Sequence, residues 1–142
     1  MHGALTRNKN HGIAMPVIAD AARLIGIDQL HIGTGVGKME ETPEEVISIK
    51  NRIEGKFGNK KPIFAVCSGG LHPGHVPQLM KMLGNDIIIQ CGGGIHWHPR
   101  GSKYGAMGLR QAIDATMKGI PLKEYAKTHL ELKQALDKFG YK

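Results

Sequence analysis

The chain has 142 residues and a formal net charge of +7, a length that suits one domain with a hydrophobic core and excludes a complete (β/α)₈ barrel of roughly 250 residues. Hydrophobic residues make up 41% of the chain and aromatic residues 5%, which argues against intrinsic disorder and against a stacking platform for single-stranded nucleic acid. The positive charge fits an anionic partner of any size, from a sugar phosphate to nucleic acid, and generic basicity is the simpler explanation.

The apolar periodicity predicts helices and short strands in alternation. The first helical pattern ends before Gly26, and Thr42, Pro43 and Glu45 form the start signal of the second helix, with Thr42 as N-cap. The apolar face of that second helix is expected to hold Val46, Ile47, Ile49 and Ile53. In chain order, the predicted elements are a helix over 15–25, a strand over 29–32, a helix over 42–55, a strand over 62–66, a helix over 76–83, a strand over 86–90, a helix over 105–117 and a last helix over 122–139.

Strands separated by helices predict an α/β fold with a parallel sheet and right-handed crossovers. Cys67 and Cys91 each end an apolar run, so we expect buried free thiols in a reducing cytosol and no disulfide. No apolar stretch approaches 18 residues, and the first residues lack a signal-peptide pattern. We therefore expect a soluble cytoplasmic protein without a membrane partner. No helical pattern confines its basic residues to one face and no DNA-binding spacing occurs, so we expect no nucleic-acid partner either.

Three glycine-rich loops follow the three predicted strands, and each loop also carries Lys or His. Their sequences are IGTGVGK (32–38), CSGGLHPGH (67–75) and CGGGIHWHP (91–99). Because the carboxyl ends of parallel strands meet at one edge of a sheet, the three loops should lie on one rim. Glycine lets backbone N–H groups approach phosphate oxygens closely. The sequence therefore predicts a site for an anionic ligand at this rim.

Two familiar phosphate-binding motifs and a zinc site are weaker interpretations of these loops. The Walker A motif requires glycine and Ser or Thr where Ile32 and Met39 stand, and the GxGxxG motif requires glycine in place of Lys38. Two histidine pairs have spacings seen in zinc sites, His72 with His75 and His96 with His98. No Cys or carboxylate lies at chelating distance in sequence from either pair, so histidines that cap loops or contact the anion are the simpler explanation.

Three segments resemble a known family: HIGTGVGKME (31–40), VCSGGLHPGHVP (66–77) and IQCGGGIHWHPRG (89–101). They are similar to the last three strand-end motifs in the large subunit of ribulose-1,5-bisphosphate carboxylase/oxygenase (RuBisCO), most closely the archaeal form III type. NKNHG (8–12) and GLRQAIDA (108–115) fit the same family. The resemblance implies a partial TIM (β/α)₈ barrel, in which residues 1–142 form strands six to eight with their helices and a C-terminal helix. The N-terminal domain and the first five barrel strands would then be absent.

The same resemblance implies roles for individual residues. Lys38 matches the mobile loop-6 lysine, whose ammonium stabilises the carboxylate that develops from CO₂. The sixth-strand motif implies that His31 helps to hold one substrate phosphate. The seventh-strand motif implies that the sugar hydroxyls and a phosphate are bound by Ser68, Gly69 and Gly70. The eighth-strand motif implies that the other phosphate is held by Gln90, Gly92 and Gly93.

The resemblance also implies the activity and its requirements. The family is a lyase that also acts as a monooxygenase (an oxidoreductase activity), and it adds CO₂ or O₂ to a Mg²⁺-bound enediolate of ribulose bisphosphate. The carbamylated lysine, aspartate and glutamate that hold Mg²⁺ match no part of this chain, so no metal ligand is expected here. We expect the isolated chain to be inactive and to require the missing N-terminal part of a large subunit that forms a homo-oligomer. The alternatives are a RuBisCO-like isomerase or enolase and a non-catalytic module that binds sugar phosphates.

Overall fold

Three short strands form one parallel sheet in the computed structural model, which describes residues 5–8, 10–38 and 41–141. The strands are β1 (Gln29–His31), β2 (Phe64–Ser68) and β3 (Ile87–Gln90), and β2 lies in the middle. His31 pairs with Val66, and Val66 pairs with Ile88 on its other side. The predicted α/β class with a parallel sheet is confirmed, although β2 begins and ends two residues later than the apolar run suggested.

The helices follow the predicted order. They are α1 (Met15–Ile25), α2 (Pro43–Glu54), α3 (Val76–Leu83), α4 (Gly93–His96), α5 (Ser102–Met117), α6 (Leu122–Tyr125) and α7 (Leu130–Phe139), with one 3₁₀ turn over Pro73–His75 before α3. The capping box at α2 is confirmed: the Glu45 amide donates to the Thr42 hydroxyl at 3.2 Å, and the Thr42 amide donates to the Glu45 carboxylate at 2.9 Å. Gly26 ends α1 with a φ of 85°, in the left-handed region that favours glycine.

Two predictions about helix boundaries were wrong. The single predicted helix over 122–139 is two helices, because side chains at its centre compete for a backbone carbonyl. His129 Nδ1 lies 2.8 Å from the Tyr125 carbonyl oxygen, and the His129 ring stacks on the Tyr125 ring at 3.8 Å. The second error is the short helix α4, which lies in a segment predicted as a loop.

The hydrophobic core lies on one side of the sheet, in two clusters. The first packs the sheet against α1, α2 and α3 and contains Ala19, Ile32, Val46, Ile49, Ile53, Ala65, Cys67, Leu79 and Leu83. The second joins α3, α5, α6 and α7 through Val76, Met80, Leu109, Ala112, Leu122, Leu132 and Leu136. Ile47, which was expected to face inward, is 36% exposed because it lies off the stripe of Val46, Ile49 and Ile53. No helix within the described ranges is long and apolar enough to cross a membrane.

The opposite face of the sheet is open. Side chains alternate along β2, so that Ala65 and Cys67 enter the core while Phe64, on the other face, is 49% exposed. A concave space of about 440 Å³ on this face is lined by Gln29, His31, Val66, Ile88, Ile89 and Gln90. The terminal helix α7 packs on α5 through the second cluster and therefore does not fold back across the open face.

Candidate functional site

The carboxyl ends of the strands bring the first predicted site residues together. His31 is the last residue of β1 and Ser68 the last of β2, and His31 Nδ1 lies 2.8 Å from Ser68 Oγ. Ser68 is directly opposite Gln90, the last residue of β3. His31 and Gln90 are exposed and line the open face, so three strands contribute polar side chains to one rim.

Lys38 lies on the loop after β1 and reaches the loop after β2. Its backbone amide donates to the Gly69 carbonyl oxygen at 3.2 Å, and its side chain is exposed. The aliphatic stem of Lys38 lies over Gly70, where an added methyl group would be 2.8 Å from Lys38 Cγ. Because Gly70 has no side chain, the Lys38 stem can pack directly against its backbone. Met39 and Glu40, the next residues of the motif, lie outside the described residues.

The glycines of the loop after β3 divide into two kinds. Gly92 and Gly93 are exposed, and a methyl group added to Gly92 would meet nothing within 4 Å. A ligand could therefore approach the backbone closely at this point. Gly94 is buried, and a methyl group there would lie 2.2 Å from the Leu71 carbonyl oxygen. Gly94 thus packs the third loop onto the second.

The four histidines of these loops make contacts within the protein. His98 is buried, with Nε2 3.0 Å from the Glu131 carbonyl oxygen, and its Nδ1 accepts a hydrogen bond from the Arg100 amide at 3.1 Å. His96 Nδ1 lies 2.8 Å from the Ser102 hydroxyl, and the rings of His72 and His75 are 3.6 Å apart. Among residues 5–8, 10–38 and 41–141, no group of three or more His, Cys, Asp or Glu could hold a metal ion. The part of the chain that the structure describes therefore does not fit a Mg²⁺ site.

Both thiols near the rim are poor nucleophiles at neutral pH. Cys67 is buried and Cys91 is half-buried, and both are free. Burial raises the pKa of the Cys67 thiol to about 11, against a smaller opposing effect from the Lys50 charge. Burial raises the pKa of the Cys91 thiol to about 11 as well. Because the thiolate is the reactive form, neither residue suits covalent catalysis.

Comparison with known proteins places this geometry in a family. The model of the ribulose bisphosphate carboxylase large chain, catalytic domain, matches residues 1–139. The chain belongs to the RuBisCO large-chain family. It is 52% identical over 141 residues to the ribulose bisphosphate carboxylase of Pyrococcus abyssi, covering 99% of this chain and 33% of that protein. The chain thus spans about a third of the length of the curated relatives it matches.

Solved structures of the RuBisCO family have a fold similar to that of this chain. The crystal structure of octameric RuBisCO from Pyrococcus horikoshii is 49% identical with a TM-score of 0.93, covering 99% of this chain and 34% of that one. A second crystal form of that protein is a complex with sulfate. A rubisco-like protein from Alicyclobacillus acidocaldarius is 35% identical with a TM-score of 0.89, covering 99% of this chain and 35% of that one.

Sequence reasoning missed three residues that shape this RuBisCO-family rim, namely Thr34, Gly37 and Gly94. Thr34 is fully buried, and its hydroxyl accepts a hydrogen bond from the Gly37 amide at 2.9 Å. A methyl group on Gly37 would lie 2.0 Å from the Gly69 carbonyl oxygen, so Gly37 packs the first loop onto the second as Gly94 packs the third. The threonine between two glycines was the available signal, because Ser and Thr hydroxyls bind nearby backbone amides in turns.

Proposed function

We propose that this chain supplies one part of the substrate site of a ribulose bisphosphate carboxylase. In this proposal residues 1–142 correspond to barrel strands six to eight, with their helices and the C-terminal helix. The observation that carries the proposal is the meeting of Lys38, Ser68 and His31 on one rim, formed by loops after neighbouring parallel strands. An identity of 52% to a protein named ribulose bisphosphate carboxylase supports it.

The rim offers two places for the phosphates of a sugar bisphosphate. We assign the sugar hydroxyls and one phosphate to His31, Ser68, Gly69 and Gly70, and the other phosphate to Gln90, Gly92 and Gly93. The two groups lie on neighbouring strands, since Ser68 pairs with Gln90. The exposed backbone at Gly92 suits an anion, because an N–H group there can approach an oxygen without a Cβ in the way.

Lys38 is the residue we assign to the carboxylation step. The nucleophilic carbon of the enediolate bonds to the carbon of CO₂, and an electron pair of CO₂ moves onto its oxygen. The Lys38 ammonium then stabilises the negative charge of the new carboxylate, an interaction that strengthens as the charge develops. In the oxygenase reaction O₂ replaces CO₂ at the same position.

The remaining parts of the enzyme belong to the other two thirds of the relatives' length. We assign the Mg²⁺ ligands, the N-terminal domain and the first five strands to that remainder. Further copies of the large subunit complete the proposed assembly, as in the octameric protein of Pyrococcus horikoshii. We therefore expect the purified 142-residue chain to fix no labelled CO₂ above a Lys38→Ala control.

A chimera tests the proposal. This chain replaces the matching third of the Pyrococcus horikoshii protein, which the TM-score of 0.93 makes structurally reasonable. The purified chimera receives ribulose bisphosphate and labelled CO₂, and both substrate consumption and carbon incorporation are measured. With O₂ excluded, we expect one labelled carbon to be incorporated for each bisphosphate consumed.

Two outcomes would contradict the proposal. A folded oligomeric chimera that, in the absence of O₂, consumes the bisphosphate without incorporating carbon would favour an isomerase or enolase. A rubisco-like protein is among the similar solved structures, at 35% identity. A folded chimera that binds the bisphosphate and leaves it unchanged would favour a non-catalytic sugar-phosphate module.

A further inference from the structure

In the conformation that the structure describes, one buried hydroxyl closes the turn that leads to Lys38. Thr34 has no exposed surface, and its Oγ1 accepts a hydrogen bond from the Gly37 amide at 2.9 Å. The Val36 amide also donates to this oxygen, at a longer distance of 3.4 Å. A single side chain thus closes the turn between the end of β1 and Lys38.

The same turn is held from outside by the loop after β2. Gly37 lies against the Gly69 carbonyl, so closely that an added methyl group would be 2.0 Å from the Gly69 oxygen and 2.9 Å from Thr34 Oγ1. That carbonyl accepts the hydrogen bond from the Lys38 amide. The backbone at Gly37 and Lys38 is therefore held between the Thr34 hydroxyl and the Gly69 carbonyl.

This arrangement also sets the direction of the lysine. The stem of Lys38 crosses Gly70, with Cβ, Cγ and Cδ at 3.1, 2.8 and 3.2 Å from the position that a Gly70 methyl group would take. An amine at the end of a flexible four-carbon stem gains precision only when its backbone is fixed. The residues that fix the backbone are Thr34 and Gly69.

We propose that Thr34 is a positioning residue for Lys38: its hydroxyl holds the turn that docks the lysine on the second loop. The inference rests on the proposed function, since it assigns to Thr34 the placement of the lysine that acts on CO₂. Thr34 itself is buried and acts only through the turn.

Two substitutions at Thr34 separate the hydroxyl from the shape of the side chain. Thr34→Val keeps the branched shape and removes the acceptor, whereas Thr34→Ser keeps the acceptor and removes a methyl group. In the chimera described above, we expect Thr34→Val to lower kcat by about 10- to 100-fold, as a displacement of about 1 Å at a reacting group does. The KM for ribulose bisphosphate should stay within about twofold, because the phosphates bind other residues. Thr34→Ser should restore kcat.

Three results would overturn the inference. The first is a Thr34→Val chimera with unchanged kcat. The second is a Thr34→Ser chimera as impaired as Thr34→Val, and the third is a kcat loss accompanied by an equal rise in KM. The last two would show that the side chain serves packing and not the position of the lysine.

Amide hydrogen exchange in the 142-residue chain provides a readout that needs no activity. Thr34→Val should accelerate exchange at the Gly37 and Lys38 amides and leave the Ile49 amide in α2 unchanged. Unchanged exchange at Gly37, or equal acceleration at all three amides, would contradict the inference. If the unmodified chimera fixes no CO₂, the proposed function fails, whereas the exchange result still decides whether Thr34 holds the turn.

Discussion

Gly94→Ala tests whether the second and third loops are fixed to each other by close backbone packing. The added methyl group would lie 2.2 Å from the Leu71 carbonyl oxygen and 2.7 Å from His72 Cα, and both are backbone atoms. The two loops must separate by about 1.2 Å, the difference between 2.2 Å and the 3.4 Å at which ordinary contact begins. Forcing an extra methyl group into a well-packed site costs about 1–3 kcal/mol, so we expect the free energy of unfolding to fall by that amount.

The neighbouring glycine provides a matched control. A methyl group on Gly93 would lie 3.4 Å from the exposed ring of Trp97, which is ordinary contact. Gly93→Ala should therefore change the free energy of unfolding by less than about 0.5 kcal/mol. Urea denaturation followed by circular dichroism measures both variants against the original chain. Equal stabilities for Gly94→Ala and Gly93→Ala would refute the claim that the second and third loops are packed tightly together.

Three further predictions concern stability, reactivity and assembly. Arg23→Met should lower the free energy of unfolding by about 3–5 kcal/mol, because the buried guanidinium donates to four backbone carbonyls within residues 52–61 and each buried carbonyl left without a donor costs about 1–3 kcal/mol. A loss below about 1 kcal/mol in urea would contradict this. Cys67 and Cys91 should react slowly with iodoacetamide at pH 7.5 and faster as the pH approaches 11, since the thiolate fraction rises with pH; rapid labelling at neutral pH would argue against burial. The isolated chain should self-associate through its open sheet face, and Phe64→Lys should reduce the light scattering; a dilute monomer of the original chain would contradict this.

Local signals in the sequence were sufficient for some elements. The start of α2 depends on Thr42 and Glu45, three residues apart, and the observed capping box uses only those two side chains and amides. Gly26 likewise ends α1 through its own backbone conformation. Such features need no information from distant residues, which explains why sequence patterns predict them.

The break between α6 and α7 has a subtler cause. The apolar stripe continues across residues 122–139, so periodicity favours one helix. The stacking of Tyr125 on His129, and the contacts of Thr128 and His129 with the Tyr125 carbonyl, interrupt the helical bonds there. Hydrophobic periodicity carries no information about this competition between side chains and backbone.

The rim itself was predictable because parallel strands end at one edge of a sheet. The sequence could not show which glycines face outward and which pack loops together. Gly92 and Gly94 look alike in the run CGGG, yet Gly92 is open and Gly94 lies against Leu71. The difference depends on the distance between residues 71 and 94 in the folded chain, and the sequence pattern around either residue does not reveal that distance. The same limit concealed the contact between Gly37 and Gly69.

The role of Lys38 is tested most directly by measuring two steps of the reaction in the chimera. Enediolate formation exchanges a carbon-bound proton of ribulose bisphosphate with solvent, and it precedes the addition of CO₂. We expect Lys38→Ala to abolish incorporation of labelled CO₂ and to retain the proton exchange, whereas Lys81→Ala, at another exposed lysine, should change neither. Labelled CO₂ incorporated by the Lys38→Ala chimera at the original rate would contradict the central claim that this loop carries the lysine for CO₂ addition.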